Sequence, residues 1–211
     1  MNFKISVAKD IAAIKADCLV LGSFSDQKKW PESVPAILAK QLDSLRRSGD
    51  LNTAAGQSLW LYHPEGVSSS RLLVVDCGKC ERWDAAAYRE FVLRCASSLQ
   101  QGPAKSAAII LPQDVPAQSQ LWQASQLAKT ITAATYRYDA TRSKPEPAAK
   151  LQTVTLVRSS KNGQAELKKG LSEGYAIGKG LVTAKELGDL PGNICTPEYL
   201  AQRARNLARG Q

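Results

Sequence analysis

The 211-residue chain contains a single histidine, His63, and therefore has little of the side chain that most often binds metals or acts as a base at neutral pH. His63 lies beside a proline in the segment Tyr62-His-Pro-Glu-Gly66. Proline and glycine in such a short stretch are typical of a turn. We therefore interpret His63 as a turn residue and predict no metal site built on histidine.

Long apolar runs are also missing. No stretch approaches the roughly 18 consecutive apolar residues that indicate a membrane-spanning helix. Residues 1–7 alternate between polar and apolar side chains like a strand, and they lack the apolar core and small-residue cleavage site of a signal peptide. We expect a cytoplasmic protein with no membrane partner.

The cysteines are few and odd in number, which favours reduced thiols over a disulfide framework. Cys77-Gly-Lys-Cys80 has the spacing of a redox or zinc motif. A structural zinc site would need two more ligands, and only one histidine and no second Cys-x-x-Cys pair are present. The pair is interpreted as two thiols at a strand end. The five cysteines are Cys18, Cys77, Cys80, Cys95 and Cys195.

Short apolar segments bounded by turn residues alternate with segments of helical spacing, which predicts the α/β class. Three apolar runs, at 18–21, 72–75 and 107–111, favour strands covered on both faces, as in a largely parallel sheet. Helices are predicted over 84–99 and 118–138. The predicted strands are residues 2–7, 18–22, 58–62, 71–76, 106–111 and 151–157.

A long helix is predicted over 166–187, ending near Gly188 and Pro191 because neither residue favours its continuation. Its glycines at 170, 174 and 178 share one face and predict close packing there. After a turn, Thr196 is a candidate N-cap with Pro197 at the first helical position. The next helix, over 199–209, has an apolar stripe formed by Leu200, Ala204 and Leu207.

The segment around that turn carries a resemblance to a known family. Lys185-Glu-Leu-Gly-Asp-Leu-Pro-Gly-Asn-Ile-Cys-Thr-Pro-Glu-Tyr-Leu-Ala201 resembles the stretch that opens the catalytic domain of leucyl aminopeptidases, the cytosol aminopeptidase family. Residues 17–24, 51–61, 71–79 and 104–111 are similar, in order, to strands and turns of that family's N-terminal domain. Cys77 and Asp189 depart from the family's pattern at positions without chemistry.

The resemblance implies a macro-domain-like mixed, largely parallel sheet flanked by helices, followed by a long linker helix. It divides the chain into an N-terminal α/β domain (1–164), a linker helix (165–189) and the beginning of a truncated catalytic peptidase domain (190–211). The full-length family enzyme is expected to be a homo-hexameric, two-metal exopeptidase that uses manganese or zinc to remove N-terminal amino acids from peptides.

The family's Asn-Thr-Asp-Ala-Glu-Gly-Arg segment, which brings metal-binding carboxylates, does not occur in this sequence. No residue here therefore inherits a catalytic, metal-binding or cofactor-binding role, and the chain alone is expected to be inactive. Its expected partner is the catalytic domain of the same polypeptide.

The net positive charge of the chain favours an alternative function. The formal net charge is +9, of which residues 1–100 carry +2 and residues 101–211 carry +7. Such an excess favours phosphate backbones, so a stand-alone basic nucleic-acid-binding module with DNA as its partner is the alternative. The basic residues are scattered, however, and the tryptophans are not interleaved with them. Gly178-Lys-Gly180 lacks the third glycine of a dinucleotide-binding turn.

Overall fold

One six-stranded sheet organises the chain, for which a computed structural model describes residues 1–51, 57–144 and 149–209. All six predicted strands are present, with ends that differ by at most two residues from those predicted. Residues 52–56 lie outside the described ranges. They belong to the segment 51–61, which is similar to part of the family's N-terminal domain. The strands are β1 (Asn2–Val7), β2 (Cys18–Ser23), β3 (Ser58–Tyr62), β4 (Arg71–Asp76), β5 (Ser106–Ile110) and β6 (Thr153–Arg158).

The strands are ordered β1-β6-β5-β2-β4-β3 across the sheet. Every neighbouring pair is parallel except β3 and β4, which are antiparallel. All six residues of β2 are buried, and β4 and β5 are buried beyond their first residue. The apolar runs thus lie in central strands covered on both faces, which confirms the predicted α/β class with a largely parallel sheet.

Five α-helices accompany the sheet in the described residues, four of them predicted. The helix α1 (Ala36–Ser48) was not predicted; it buries Leu38 and Leu42 and ends at Gly49, whose positive φ of 86° suits glycine. The helix predicted over 118–138 ends at residue 133. After it, the backbone N–H groups of Thr135 and Tyr136 donate to the carbonyl groups three residues earlier, which is the tighter hydrogen bonding of a 3₁₀ turn. The helices are α1 (Ala36–Ser48), α2 (Ala85–Gln101), α3 (Gln120–Ala133), α4 (Gln164–Asp189) and α5 (Pro197–Arg209).

The core has two layers, one on each face of the sheet. Helices α2, α3 and α4 cover one face, where Trp83 packs edge-on against Phe91 at 5.9 Å between ring centroids. Helix α1 covers β2 and β4 on the opposite face. Within residues 1–51, 57–144 and 149–209, no helix has the length and apolar character needed to cross a membrane.

Candidate functional site at the end of the long helix

The residues that the sequence singled out as possible ligands or nucleophiles are not brought together by the fold. His63 is exposed in a turn with φ of 53°, where its backbone N–H donates to the Ser70 carbonyl at 2.9 Å. Cys77 follows β4 and is buried, whereas Cys80 is exposed, and both are free thiols. Burial raises the pKa of the Cys77 thiol well above its ordinary value, so this thiol stays protonated and unreactive.

Three glycines hold α4 against α3, as their spacing predicted. A Cβ atom placed on Gly170 would lie 2.3 Å from the carbonyl oxygen of Leu121, and one on Gly174 would lie 2.2 Å from that of Ser125. At Gly178 it would meet Thr132 Cβ at 2.6 Å. The backbones of the two helices therefore approach closely over two turns. Gly178-Lys-Gly180 lies inside this helix and does not form a phosphate-binding loop.

Beyond Gly178 the side chains of α4 are exposed or partly exposed, and Tyr136 supports the end of the helix. The Tyr136 hydroxyl lies 2.6 Å from Asp189 Oδ2, to which it donates, and 3.3 Å from the Lys185 carbonyl oxygen. The Lys185 ammonium lies 5.9 Å from the centre of the Tyr136 ring. Desolvation, reinforced by the Asp189 hydrogen bond and charge, raises the pKa of Tyr136 to about 12.

Replacing Asp189 by asparagine is expected to lower the pKa of Tyr136 towards the ordinary tyrosine value of 10.0, because the neighbouring negative charge is removed. In the native chain the raised pKa stabilises the fold below pH 10, and this contribution is lost as the pH rises through about 12. NMR titration of ¹³C-labelled tyrosine, with Tyr136→Phe to assign the signal, measures the shift. Glu166→Gln, at the other end of α4, should leave the Tyr136 pKa unchanged; an equal effect of both substitutions would contradict a local cause.

A short turn joins α4 to α5. The backbone N–H groups of Ile194 and Cys195 both donate to the Pro191 carbonyl at 2.9 Å. The Thr196 hydroxyl accepts from the Tyr199 backbone N–H at 3.2 Å, which makes it the predicted N-cap. Pro197 is the first residue of α5, also as predicted.

One ion pair links α5 back to α4: Arg203 Nη2 lies 2.8 Å from Glu186 Oε2. Both side chains are partly exposed, so the pair orients α5 but stabilises it only weakly. No residue of α5 is buried. The helix is therefore held mainly by the turn before it and by this one contact.

Exposed apolar side chains are concentrated in this part of the molecule. Of the nine large apolar side chains that are exposed in the described residues, five lie between positions 177 and 207. Leu200 and Leu207, from the predicted stripe of α5, are 44% and 55% exposed. Apolar side chains that are exposed together in one part of a protein often belong to an interaction surface. We refer to Ile177, Leu181, Ile194, Leu200 and Leu207 as the apolar end.

Among the described residues, neither a cluster of metal-binding side chains nor a tryptophan free for stacking is found. Nowhere in residues 1–51, 57–144 and 149–209 do three His, Cys, Asp or Glu side chains group closely enough to hold a metal. The four tryptophans are buried or half-buried, and two already stack with arginines, Trp30 with Arg46 and Trp122 with Arg89. They offer no exposed platform for bases.

Comparison with known proteins decides the family. Residues 20–145 match the sequence profile described as the cytosol aminopeptidase family, N-terminal domain. The chain belongs to the cytosol aminopeptidase family. This confirms the resemblance drawn from the sequence, and the matched residues contain most of β2, the strands β3 to β5 and the helices α1 to α3.

Curated aminopeptidase relatives extend the match over nearly the whole chain. A probable cytosol aminopeptidase of Alcanivorax borkumensis is 34% identical over 211 residues, which are 99% of this chain and 42% of the relative. A probable cytosol aminopeptidase of Azoarcus sp. is 33% identical and covers 99% of this chain and 43% of its own length. The chain thus spans less than half the length of the relatives it matches.

Solved structures of longer enzymes share the fold. A mutant tomato leucine aminopeptidase superposes with a TM-score of 0.71 at 20% identity, covering 98% of this chain and 43% of its own. The bottromycin maturation enzyme BotP in complex with Mn gives a TM-score of 0.64 at 24% identity, covering 93% of this chain and 37% of its own. In each case the matched part is under half of the longer protein.

Proposed function

We propose that this chain is the non-catalytic N-terminal part of a two-metal aminopeptidase and that the apolar end packs against the remainder of the catalytic domain. The carrying observation is the concentration of exposed apolar side chains on the end of α4, the turn and α5. In the proposed division, residues 1–164 form the N-terminal domain, 165–189 the linker helix and 190–211 the first part of the catalytic domain.

The catalytic chemistry is proposed to belong to the catalytic domain of the same polypeptide. The described residues do not fit a metal centre. The two divalent ions, manganese or zinc, are therefore assigned to the catalytic domain. There they would activate a water and polarise the scissile carbonyl. No step of the hydrolysis is assigned to a residue of this chain. A cytoplasmic location and a homo-hexameric assembly of the complete enzyme belong to the same proposal.

A chimera tests the proposal. The 211-residue chain replaces the corresponding 42% of the Alcanivorax borkumensis relative, and hydrolysis of leucine p-nitroanilide is measured with added manganese. We expect no hydrolysis by the chain alone, measurable hydrolysis by the chimera, and a chimera mass that corresponds to six subunits by light scattering.

Substitutions in the apolar end supply the specific control. Leu200→Asp with Leu207→Asp in the chimera should reduce activity at least about tenfold, since two charges enter the proposed interface. Leu93→Asp, at an exposed leucine on α2, should have little effect. Hydrolysis by the isolated chain would refute the non-catalytic assignment, and equal activity of both variants would refute the proposed packing of the apolar end.

A further inference from the structure

The strand β1 forms one edge of the sheet, and half of its backbone hydrogen-bonding groups face away from the sheet. Asn2 N–H donates to the Gln152 carbonyl at 2.8 Å, and Ala8 N–H donates to the Arg158 carbonyl at 2.9 Å. In a parallel pair, the N–H and C=O of one residue point to the same neighbour and successive residues alternate. The backbone groups of Phe3, Ile5 and Val7 therefore point outward, as on any unpaired edge.

A groove of about 840 Å³ runs along this edge, between β1 and the first half of α4. Five consecutive residues from Met1 to Ile5 line one side, which places the edge of the strand in the wall. The other wall is a single stripe of α4, with the spacing of one helix face. Its members are Gln164, Ala165, Lys168, Leu171, Ser172 and Tyr175.

The chemistry of the groove is apolar and basic. Phe3 and Ile5 pack against the core beneath it, and the rings of Phe3 and Tyr175 lie 6.0 Å apart. Leu171 is buried at its base. Lys168 is exposed along it, and Lys4 is exposed on the opposite face of β1, because side chains alternate along a strand and Phe3 and Ile5 face the core beneath α4. None of the lining residues is acidic. An occupant that complements this surface has apolar side chains on one face and carries negative charge.

We propose that the β1 groove binds an extended segment of a partner polypeptide, apolar at alternate positions and acidic between them, as a seventh strand beside β1. The backbone groups of Phe3 and Ile5 pair with the segment. Its apolar side chains, which recur every second residue, lie against Leu171 and Tyr175, while its carboxylates point to the opposite face of the sheet, beside Lys4.

A second copy of the chain complements the groove poorly. Lys4 lies in the middle of β1, so pairing two β1 strands across a two-fold axis brings the two lysines close together. The net charge of +9 adds repulsion between copies. An acidic segment from another polypeptide meets neither obstacle.

The groove and the apolar end have no residue in common. Tyr175 of the groove and Ile177 of the apolar end lie two residues apart on α4, and at 3.6 residues per turn their side chains point to opposite sides of the helix. The proposal is independent of the proposed function, and its test does not require aminopeptidase activity.

The test measures binding of a fluorescent hexapeptide in which glutamate alternates with valine to the 211-residue chain, by fluorescence anisotropy. We expect saturable binding. The same peptide N-methylated at alternate amides should bind about tenfold more weakly, because it loses two or more backbone hydrogen bonds. A peptide that alternates lysine with valine should not bind.

Matched variants locate the site. Ser172→Trp places a large ring in the groove and should abolish binding, whereas Ala176→Trp, one turn further along the exposed surface of α4, should not. Lys4→Glu should weaken binding about fivefold and Lys179→Glu much less. Circular dichroism melting verifies that each variant is folded.

Two outcomes would overturn the proposal. Equal affinity for the N-methylated and unmodified peptides would show that the strand edge is not used. Equal loss in both members of a matched pair would show adsorption to the basic surface as a whole.

Discussion

Replacing Gly174 by alanine is expected to lower the free energy of unfolding by roughly 2–3 kcal/mol, because the new methyl group has no space. A Cβ atom at this position would lie 2.2 Å from the carbonyl oxygen of Ser125, which belongs to the backbone of α3 and cannot rotate away. The two helices must separate to admit it. Urea denaturation followed by circular dichroism measures the change.

Gly180 in the same helix provides the matched control. No atom lies within 4 Å of a Cβ placed there. Gly180→Ala should therefore stabilise the chain by roughly 0.5–1 kcal/mol, since alanine restricts the unfolded chain and favours a helix. Equal effects of the two substitutions would contradict the close packing of α4 on α3.

Replacing Phe91 by alanine should cost roughly 3–5 kcal/mol of unfolding free energy, because it leaves a cavity in the larger core layer. Phe91 is fully buried and contacts the Trp83 ring edge-on. Leu93, on the same helix, is 49% exposed, and Leu93→Ala should change the stability by no more than about 0.5 kcal/mol. Guanidinium unfolding with tryptophan fluorescence compares the two variants. Similar losses at both positions would mean that α2 does not present Phe91 to the core.

Much of the fold could be predicted from short-range patterns. The strands β2, β4 and β5 are apolar runs between turn residues, so both their type and their central position follow from the sequence. The strand order could not be predicted, because it depends on which distant segments pair. Helix α1 was missed although Leu38, Leu42 and Leu45 have helical spacing and Gly49 marks its end. Its N-cap is Pro35, which makes no side-chain hydrogen bond, so the Ser, Thr, Asp or Asn that usually marks a helix start is absent.

The candidate site likewise has parts that could be predicted from the sequence and parts that could not. Its local parts, the Thr196 cap and the stripe of Leu200 and Leu207, follow from helical spacing and capping preferences. The support of α4 by Tyr136 could not be predicted, because Tyr136 and Asp189 are 53 residues apart in the sequence. The glycine spacing in α4 indicated a closely packed face, but it gave no information on the partner helix.

The placement of β1 beside β6 governs the order of events during synthesis. Asn2 pairs with Thr153, so β1 has no partner in the sheet until about 150 further residues have been synthesised. At ribosomal speeds of roughly 5–20 residues per second, the wait is on the order of 10 s. The strands β2, β4 and β5 can pair with one another in the meantime. The sheet as described is therefore complete only after β6 has been made.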